Sequence, residues 1–511
     1  MKILGFLLIT VTYCEGANIL ALLATPSPSH HIFNTALVRA LAQRGHQITV
    51  LSPDTAEIPN VTYLKIEGLY ENIKEEINYQ DFLGENPISM TFTMFDWKII
   101  HNLCEIDLKS SAGQTLLKST EKFDLIITEA AFTDCLYGLI PKFGSPPVVA
   151  ISAYGIPPWM IDVIGTPENP SYIPNSILPY SEHMTLSERM YNTLITGLSV
   201  FLYKYYLIPK VEKLMTELLK TEQPSYLDIV KNFSIFLSNV DLGFDVARPV
   251  GPNVIPVGGM HIKAKPDPLP KDIQDFLDGA KDGFFFFSLG SNLQSSQLPK
   301  EKLKSLLEAF AEIPQRVLWK FETDNIPGLP SNVKIGKWLP QSDILAHPNI
   351  KAFISHCGKL STTESVYRGV PVIGVPFFAD QWLNLQQMMG KGVAVKLDFL
   401  TLTKESVLKS IREILNNQSY HQNMKKLSTI LKDHPQSALD RAVFWTEHVI
   451  RHGGAPHLRP ASTDLYWYQY LLLDVLCVFA SGVLLIVFVL YFILRTLLKL
   501  FRKNPKKSKQ N

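Results

Sequence analysis

The chain has 511 residues, 46% of them apolar, 19% charged and 11% aromatic, with a formal net charge of +2. That length implies two to four domains at about 100–200 residues each, and the composition excludes a disordered chain. Five cysteines are too few for a disulfide scaffold. Seven basic and no acidic side chains lie in residues 495–511, so the rest of the chain is slightly acidic and offers no basic nucleic-acid surface.

In chain order, Lys2, the apolar run Ile3–Val11 and the small residues of Cys14-x-Gly16 predict a secretory signal peptide over residues 1–16. Asn18–Thr25 reads as a first strand. The turn-rich Thr-Pro-Ser-Pro-Ser follows, then a helix pattern through Ala36, Leu37, Ala40 and Leu41 to Gly45, then an apolar run at Gln47–Leu51. Phe123–Thr128 and Val148–Ser152 repeat the strand pattern. Apolar runs alternating with helices predict a parallel sheet covered on both faces, here over residues 17–247. Thr193–Leu207 is apolar and aromatic but interrupted by Lys204, which reads first as an ordinary core helix, with a membrane-dipping or acceptor-lining helix as the alternative.

The Pro- and Gly-rich segment 248–259 reads as a linker. A second α/β domain, residues 260–465, is predicted from strand Gly283–Leu289, helix Pro299–Ala311 and strands Arg316–Phe321 and Ile350–Ser355. Helix Ser361–Arg368, strand Val370–Val375, helix Gln381–Met389 and strand Val393–Leu397 continue the alternation, and helices between Lys404 and Arg451 close it. Val475–Leu494 holds no charge and is long enough to span a bilayer. With its flank of Tyr466, Trp467, Tyr468 and Tyr470 it makes residues 466–494 a transmembrane segment, and the positive-inside rule puts the basic tail, 495–511, in the cytosol. The body then faces the lumen, where the sequons at Asn60, Asn232 and Asn417 could be glycosylated. Three luminal cysteines remain (Cys104, Cys135, Cys357), an odd number that leaves one unpaired or joined to another chain.

The chemistry concentrates in residues 336–398. His356-Cys-Gly358 ends a strand, and Ser361–Glu364 opens a helix whose N–H groups favour an anion. The turn Ser288-Leu-Gly290-Ser291 ends the domain's first strand, so the two turns could cradle a diphosphate at a switch point. Trp338-x-x-Gln341 offers an indole face and a carboxamide to a flat heterocycle. Glu364 offers a carboxylate to ribose hydroxyls or a cap to its helix. Asp380-Gln381 suits vicinal sugar hydroxyls, and Asp380 also suits a helix N-cap. In the first domain His30-His31 lies in the loop after the first strand, at the carboxyl end of the sheet, where ligands gather.

This pattern, from signal peptide to dilysine-like tail, resembles the UDP-glycosyltransferase family of animal UDP-glucuronosyl- and UDP-glucosyltransferases, with a texture most like its insect members. The resemblance implies two Rossmann-like domains facing across a cleft (GT-B type), plus one C-terminal transmembrane helix. It implies that the diphosphate is held by His356 and Ser288, with Gly290, Gly358 and Ser361 beside them. Uridine falls to Trp338, Gln341 and Glu364, and the hexose to Asp380 and Gln381. The family's base lies 14 residues before the Arg of an Arg-Gly-His triplet; here the triplet is Arg44-Gly45-His46, which points to His30, with His31 as competitor. An imidazole, with an ordinary pKa of about 6.5, suits removal of a hydroxyl proton at neutral pH.

Two departures matter. The aspartate that orients the family's base is here Glu129, with Asp134 as the alternative. The Asn that glucuronosyl enzymes carry four residues after the phosphate histidine is here Leu360, for which Ser361 or Thr362 could compensate. No basic residue is evident for the carboxylate of glucuronic acid, so UDP-glucose is the preferred donor. The expected reaction is inverting transfer to hydroxyls of small lipophilic acceptors. No metal or other cofactor is expected, since no Asp-x-Asp cluster is present. A sterol or ceramide acceptor is the rival reaction, and a non-catalytic luminal carrier the rival class; an oxidoreductase lacks its Gly-x-Gly-x-x-Gly. Lys507 and Lys509, fifth and third from the end, resemble a dilysine retrieval signal of the endoplasmic reticulum. The expected partners are the UDP-sugar, the acceptor and the membrane, with homo-oligomerisation left open.

Overall fold

The computed structural model describes residues 16–76, 86–130, 133–160 and 164–502. The predicted signal segment up to residue 15, and Lys507 and Lys509, lie outside them. Residues up to Arg459 form one compact unit and those from Pro460 a second.

The first sheet starts with β1 (Asn18–Leu22), α1 (Pro28–Gln43), β2 (Gln47–Ser52) and β3 (Val61–Lys65). Helices α2 (Pro87–Met94) and α3 (Trp97–Lys109) lead to β4 (Leu125–Glu129) and β5 (Val148–Ser152). After α4 (Leu186–Phe201) come β6 (Phe233–Ser238) and β7 (Val254–Pro256). All pairings are parallel, in the order β3-β2-β1-β4-β5-β6-β7. Every residue of β4, β5 and β6 is buried, as expected of strands covered on both faces.

The second sheet contains β8 (Phe284–Ser288), β9 (Arg316–Lys320), β10 (Val333–Gly336), β11 (Ile350–Ser355), β12 (Val372–Gly374) and β13 (Ala394–Lys396). It too is all parallel, in the order β10-β9-β8-β11-β12-β13. Helices α5 (Lys359–Arg368) and α6 (Gln381–Gly390) follow β11 and β12. In both sheets the strand order reverses beside the first strand, at β1/β4 and at β8/β11. The crevice outside the carboxyl ends of such a pair is where open α/β folds bind ligands.

Two boundaries differ from the sequence reading. The segment read as linker contributes β7 to the edge of the first sheet. The closing helix α7 (Ala438–His452) crosses back onto the first domain, where Ala442, Val443 and Val449 share a buried cluster with Leu37 and Leu41 of α1. The segment 193–207 divides by face: Ile195, Leu202, Tyr203 and Leu207 are buried, whereas Leu194, Phe201 and Tyr205 are more than half exposed. Cys104 of α3 and Cys135 form a disulfide, and Cys357 is free and buried. In the C-terminal unit, α8 (Leu473–Arg502) is a 30-residue helix, long and apolar enough to cross a membrane, with a mean hydropathy of 2.8 over its candidate span.

Candidate active site

The β1/β4 switch point sets His30 beside Glu129. His30 is the third residue of α1, in its first turn rather than in the loop expected from sequence. Pro28 opens that helix with its fixed φ. Glu129 is the last residue of β4 and is fully buried. His30 Nδ1 lies 2.5 Å from Glu129 Oε1, and Tyr154 packs edge-on to the imidazole at 5.6 Å. A carboxylate on Nδ1 selects the tautomer with its proton there, which leaves Nε2 as the acceptor. The longer glutamate thus reaches the histidine. Asp134 faces elsewhere: its Oδ1 accepts from the hydroxyls of Tyr203 and Tyr226, each at 2.9 Å. Burial pushes its carboxyl above the ordinary range. His31 is turned to Thr35, at 3.3 Å, and towards the Tyr63 ring, and burial lowers its pKa.

The β8/β11 switch point sets Ser288 beside His356. Ser288 and Ser355 end their strands in register, and His356 follows. Its ring is half-buried, and its pKa is lowered to about 4, first by loss of hydration and then by the charge of Lys320. Nδ1 of the ring finds no hydrogen-bond partner among the described residues. The glycines read from sequence as room for a phosphate make room for this imidazole. A Cβ on Gly290, whose φ is +82°, would lie 2.6 Å from ring atoms, and one on Gly358 would lie 2.4 Å from Nε2. Ser288 Oγ accepts from the Gly290 N–H at 3.2 Å. Gly358 is the N-cap of α5 and no side chain caps it, so the helix N-terminus is available to an anion. Leu360 packs into the apolar cluster of α1 and α7. The Thr362 hydroxyl donates to the Lys359 carbonyl, and only Ser361 of the two suggested substitutes lines the cavity.

Next to this turn, Gln341 Nε2 donates to Glu364 Oε2 at 2.7 Å and to Ser361 Oγ at 3.1 Å. Glu364 is the sixth residue of α5 and so does not cap it; its Oε1 lies 3.1 Å from His261 Nε2. Trp338 is 62% exposed, so one indole face is open to a planar ring. Asp380 takes no part in a side-chain cap of α6. Its Oδ2 accepts from Asn384 at 2.9 Å, and burial pushes its carboxyl up against the opposing effects of Asn384, Lys359 and His30. Gln381 Oε1 accepts from the Phe377 and Phe378 N–H groups, which fixes the turn and leaves its NH₂ for a ligand. Ala379 in that turn has φ +53°, and its N–H points at Met90 Sδ of α2, 3.4 Å away.

Most of these groups meet in one cavity of about 520 Å³; Glu129, Asp134 and His31 stand outside its lining. His30, Ser288, Gly290, Trp338, Gln341, His356, Gly358, Ser361, Glu364, Asp380 and Gln381 line it. Met90, Met94, Ile99, Ile100 and Leu103 form its apolar arm on the first domain. Sequence reasoning missed His261, Lys320 and Tyr154, which also line it. His261 stands just after a Pro- and Gly-rich stretch with no periodicity, and Lys320 looks like any strand-ending lysine. The three sequon asparagines Asn60, Asn232 and Asn417 are exposed. Among the described residues no three His, Cys, Asp or Glu side chains converge as a metal-ligand set.

A family model described as "UDP-glucoronosyl and UDP-glucosyl transferase" matches residues 20–511. UDP-glucosyltransferase 2 of Dactylopius coccus is 37% identical, with 100% of this chain and 98% of the relative covered. Human UDP-glucuronosyltransferase 1A6 is 34% identical over 91% of this chain and 88% of its own. Among solved structures, the calicheamicin glycosyltransferase CalG4 superposes with a TM-score of 0.57 at 16% identity, covering 85% of this chain and 98% of its own. Phytolacca americana UGT2, complexed with UDP-2-fluoro-glucose and pterostilbene, gives 0.54 at 16% identity, covering 85% of this chain and 100% of its own. These two likenesses carry the GT-B fold. By its sequence over nearly its whole length, this chain is a glycosyltransferase and belongs to the UDP-glucuronosyl and UDP-glucosyl transferase family.

Proposed function

We propose that the chain transfers a hexose, preferentially glucose, from its UDP-sugar to the hydroxyl of a small lipophilic acceptor, with inversion and without a metal. The observation that carries this reading is the His30–Glu129 pair, whose histidine lines the same cavity as Ser288, His356 and the open N-terminus of α5. His30 Nε2 takes the acceptor proton while Glu129 stabilises the imidazolium. The acceptor oxygen attacks the anomeric carbon as the bond to the β-phosphate oxygen breaks, and UDP leaves with that electron pair. One displacement by an external oxygen inverts the anomeric centre. His356, Ser288 and the N–H groups of α5 receive the charge that develops on UDP. Uridine lies on Trp338 and Gln341 with its ribose at Glu364, and the hexose meets Asp380 and Gln381.

Leu360 in place of the amide of glucuronosyl enzymes supports glucose, as does the name of the insect relative. The apolar arm of Met90, Met94 and Leu103 supports lipophilic acceptors. The span α8 and the basic tail support a single-pass protein of the endoplasmic reticulum membrane with a luminal body, glycosylated at Asn60, Asn232 and Asn417. The test uses UDP-α-glucose and UDP-α-glucuronic acid in parallel with a panel of phenols. A β-glucoside formed in the presence of chelator is the expected product. An α-glucoside, a faster glucuronide, or activity lost to chelator and restored by manganese would each overturn the corresponding part.

A further inference from the structure

The donor brings a diphosphate, with a negative charge on each phosphate, and gains another as the sugar leaves. The imidazole of His356 starts neutral. It is half-buried with Nδ1 out of solvent, its pKa is lowered to about 4, and no acceptor in the described structure holds a proton on Nδ1. It meets the anion as a hydrogen-bond donor. The N-terminus of α5 contributes about half a positive charge. The permanent cations that line the cavity are two lysines, Lys320 and Lys359.

Lys359 is committed away from it. Its buried ammonium pairs with the half-buried Asp245 and lies 5.4 Å from the centroid of the Phe244 ring. Lys320 is placed differently. It ends β9, whose register with β8 pairs Trp319 with Phe287 and so sets Lys320 level with Ser288. Its ammonium is 3.0 Å from Glu322 Oε1, and Glu322 Oε2 accepts from the Ser296 N–H in the loop that follows Ser288. The side chain is 13% exposed, and its field already reaches the His356 ring. An anion bound at that ring lies in the same field.

We propose that Lys320 is the cation of the donor diphosphate site: its ammonium bonds the phosphates directly, and Glu322 holds it at the rim between turnovers. This rests on the UDP-sugar reading of the site and adds the residue that balances the charge. Arginine would serve in the same place, and a neutral side chain of equal length would not.

The test is calorimetric binding of UDP and of uridine to detergent-solubilised full-length protein, wild type, Lys320→Met and Lys320→Arg. Loss of a charge-assisted contact predicts UDP binding about 10- to 100-fold weaker in Lys320→Met. Uridine binding stays unchanged, Lys320→Arg recovers most of the UDP affinity, and added salt weakens UDP binding more in wild type than in Lys320→Met. Unchanged UDP affinity in Lys320→Met overturns the proposal. So does an equal fall for UDP and uridine, which marks a structural role. Wild-type protein that binds uridine no better than an unrelated nucleoside overturns the underlying donor reading, a failure distinct from the other two.

Discussion

The two halves of the molecule put a histidine at the same topological place and give it opposite company. His30 follows β1 and has the buried Glu129 against its Nδ1. His356 follows β11, has no partner on Nδ1 and has a lysine near by. The carboxylate makes the first a group that can take and hold a proton. Burial without one makes the second a neutral donor. The side chain is the same in both, so the neighbours set the role.

The largest effect that can break this contrast is on the base. His30→Ala should lower kcat by about 10²- to 10⁴-fold, measured by product formation at saturating donor. Glu129→Gln should lower it by less and shift the pH–rate profile. Asp134→Asn, which alters the Tyr203–Tyr226 cluster, should change thermal stability and leave that profile in place. A profile shift in Asp134→Asn and none in Glu129→Gln would exchange their roles.

The second test concerns the partner histidine. In the folded chain His356 binds a proton only near pH 4, against 6.5 when solvated. Between those values the unfolded chain holds a proton that the folded chain does not. Stability from burying the neutral ring is therefore complete above about pH 6.5 and is lost as pH falls towards 4. The loss is on the order of 3 kcal/mol. Thermal unfolding of wild type and His356→Gln at pH 7 and pH 4.5 should show the larger drop in wild type. Parallel drops would mean that the ring is solvated.

Gly290→Ala places a Cβ against the His356 ring at a left-handed φ. A strain of about 1–3 kcal/mol predicts weaker UDP binding together with a lower melting temperature. A smaller effect belongs to His261. Removing its contact with Glu364 by His261→Asn should raise KM for the UDP-sugar about tenfold with kcat nearly unchanged. A fall in kcat alone would place His261 nearer the reacting atoms than its contact with Glu364 indicates.

Most central strands were legible because a buried parallel strand is a nearly continuous apolar run: Val148–Ser152 and Ile350–Ser355 match residue for residue, whereas β6 was not read. Three of the four edge strands were not legible; the fourth, β13, was read as Val393–Leu397. β3 is half-exposed, β7 and β10 are only three and four residues long, and β7 lies in a Pro- and Gly-rich segment. The choice between Glu129 and Asp134 needed the direction of each side chain, which spacing does not carry. The Arg44-Gly-His46 triplet located His30, yet its own work is structural: His46 Nδ1 accepts from the Ala17 N–H, and Arg44 pairs with Glu447 of α7. Lys320 became visible only once strand order set β9 beside β8.

The most direct measurement of the central claim compares wild type and His30→Ala for two quantities, glucose transfer from UDP-glucose to a phenol and UDP binding. The account predicts transfer lost by at least about 10² with UDP affinity unchanged, because the base and the diphosphate site sit on different domains. Transfer that survives the substitution, or UDP binding that falls with it, would contradict the division of labour between the two histidines.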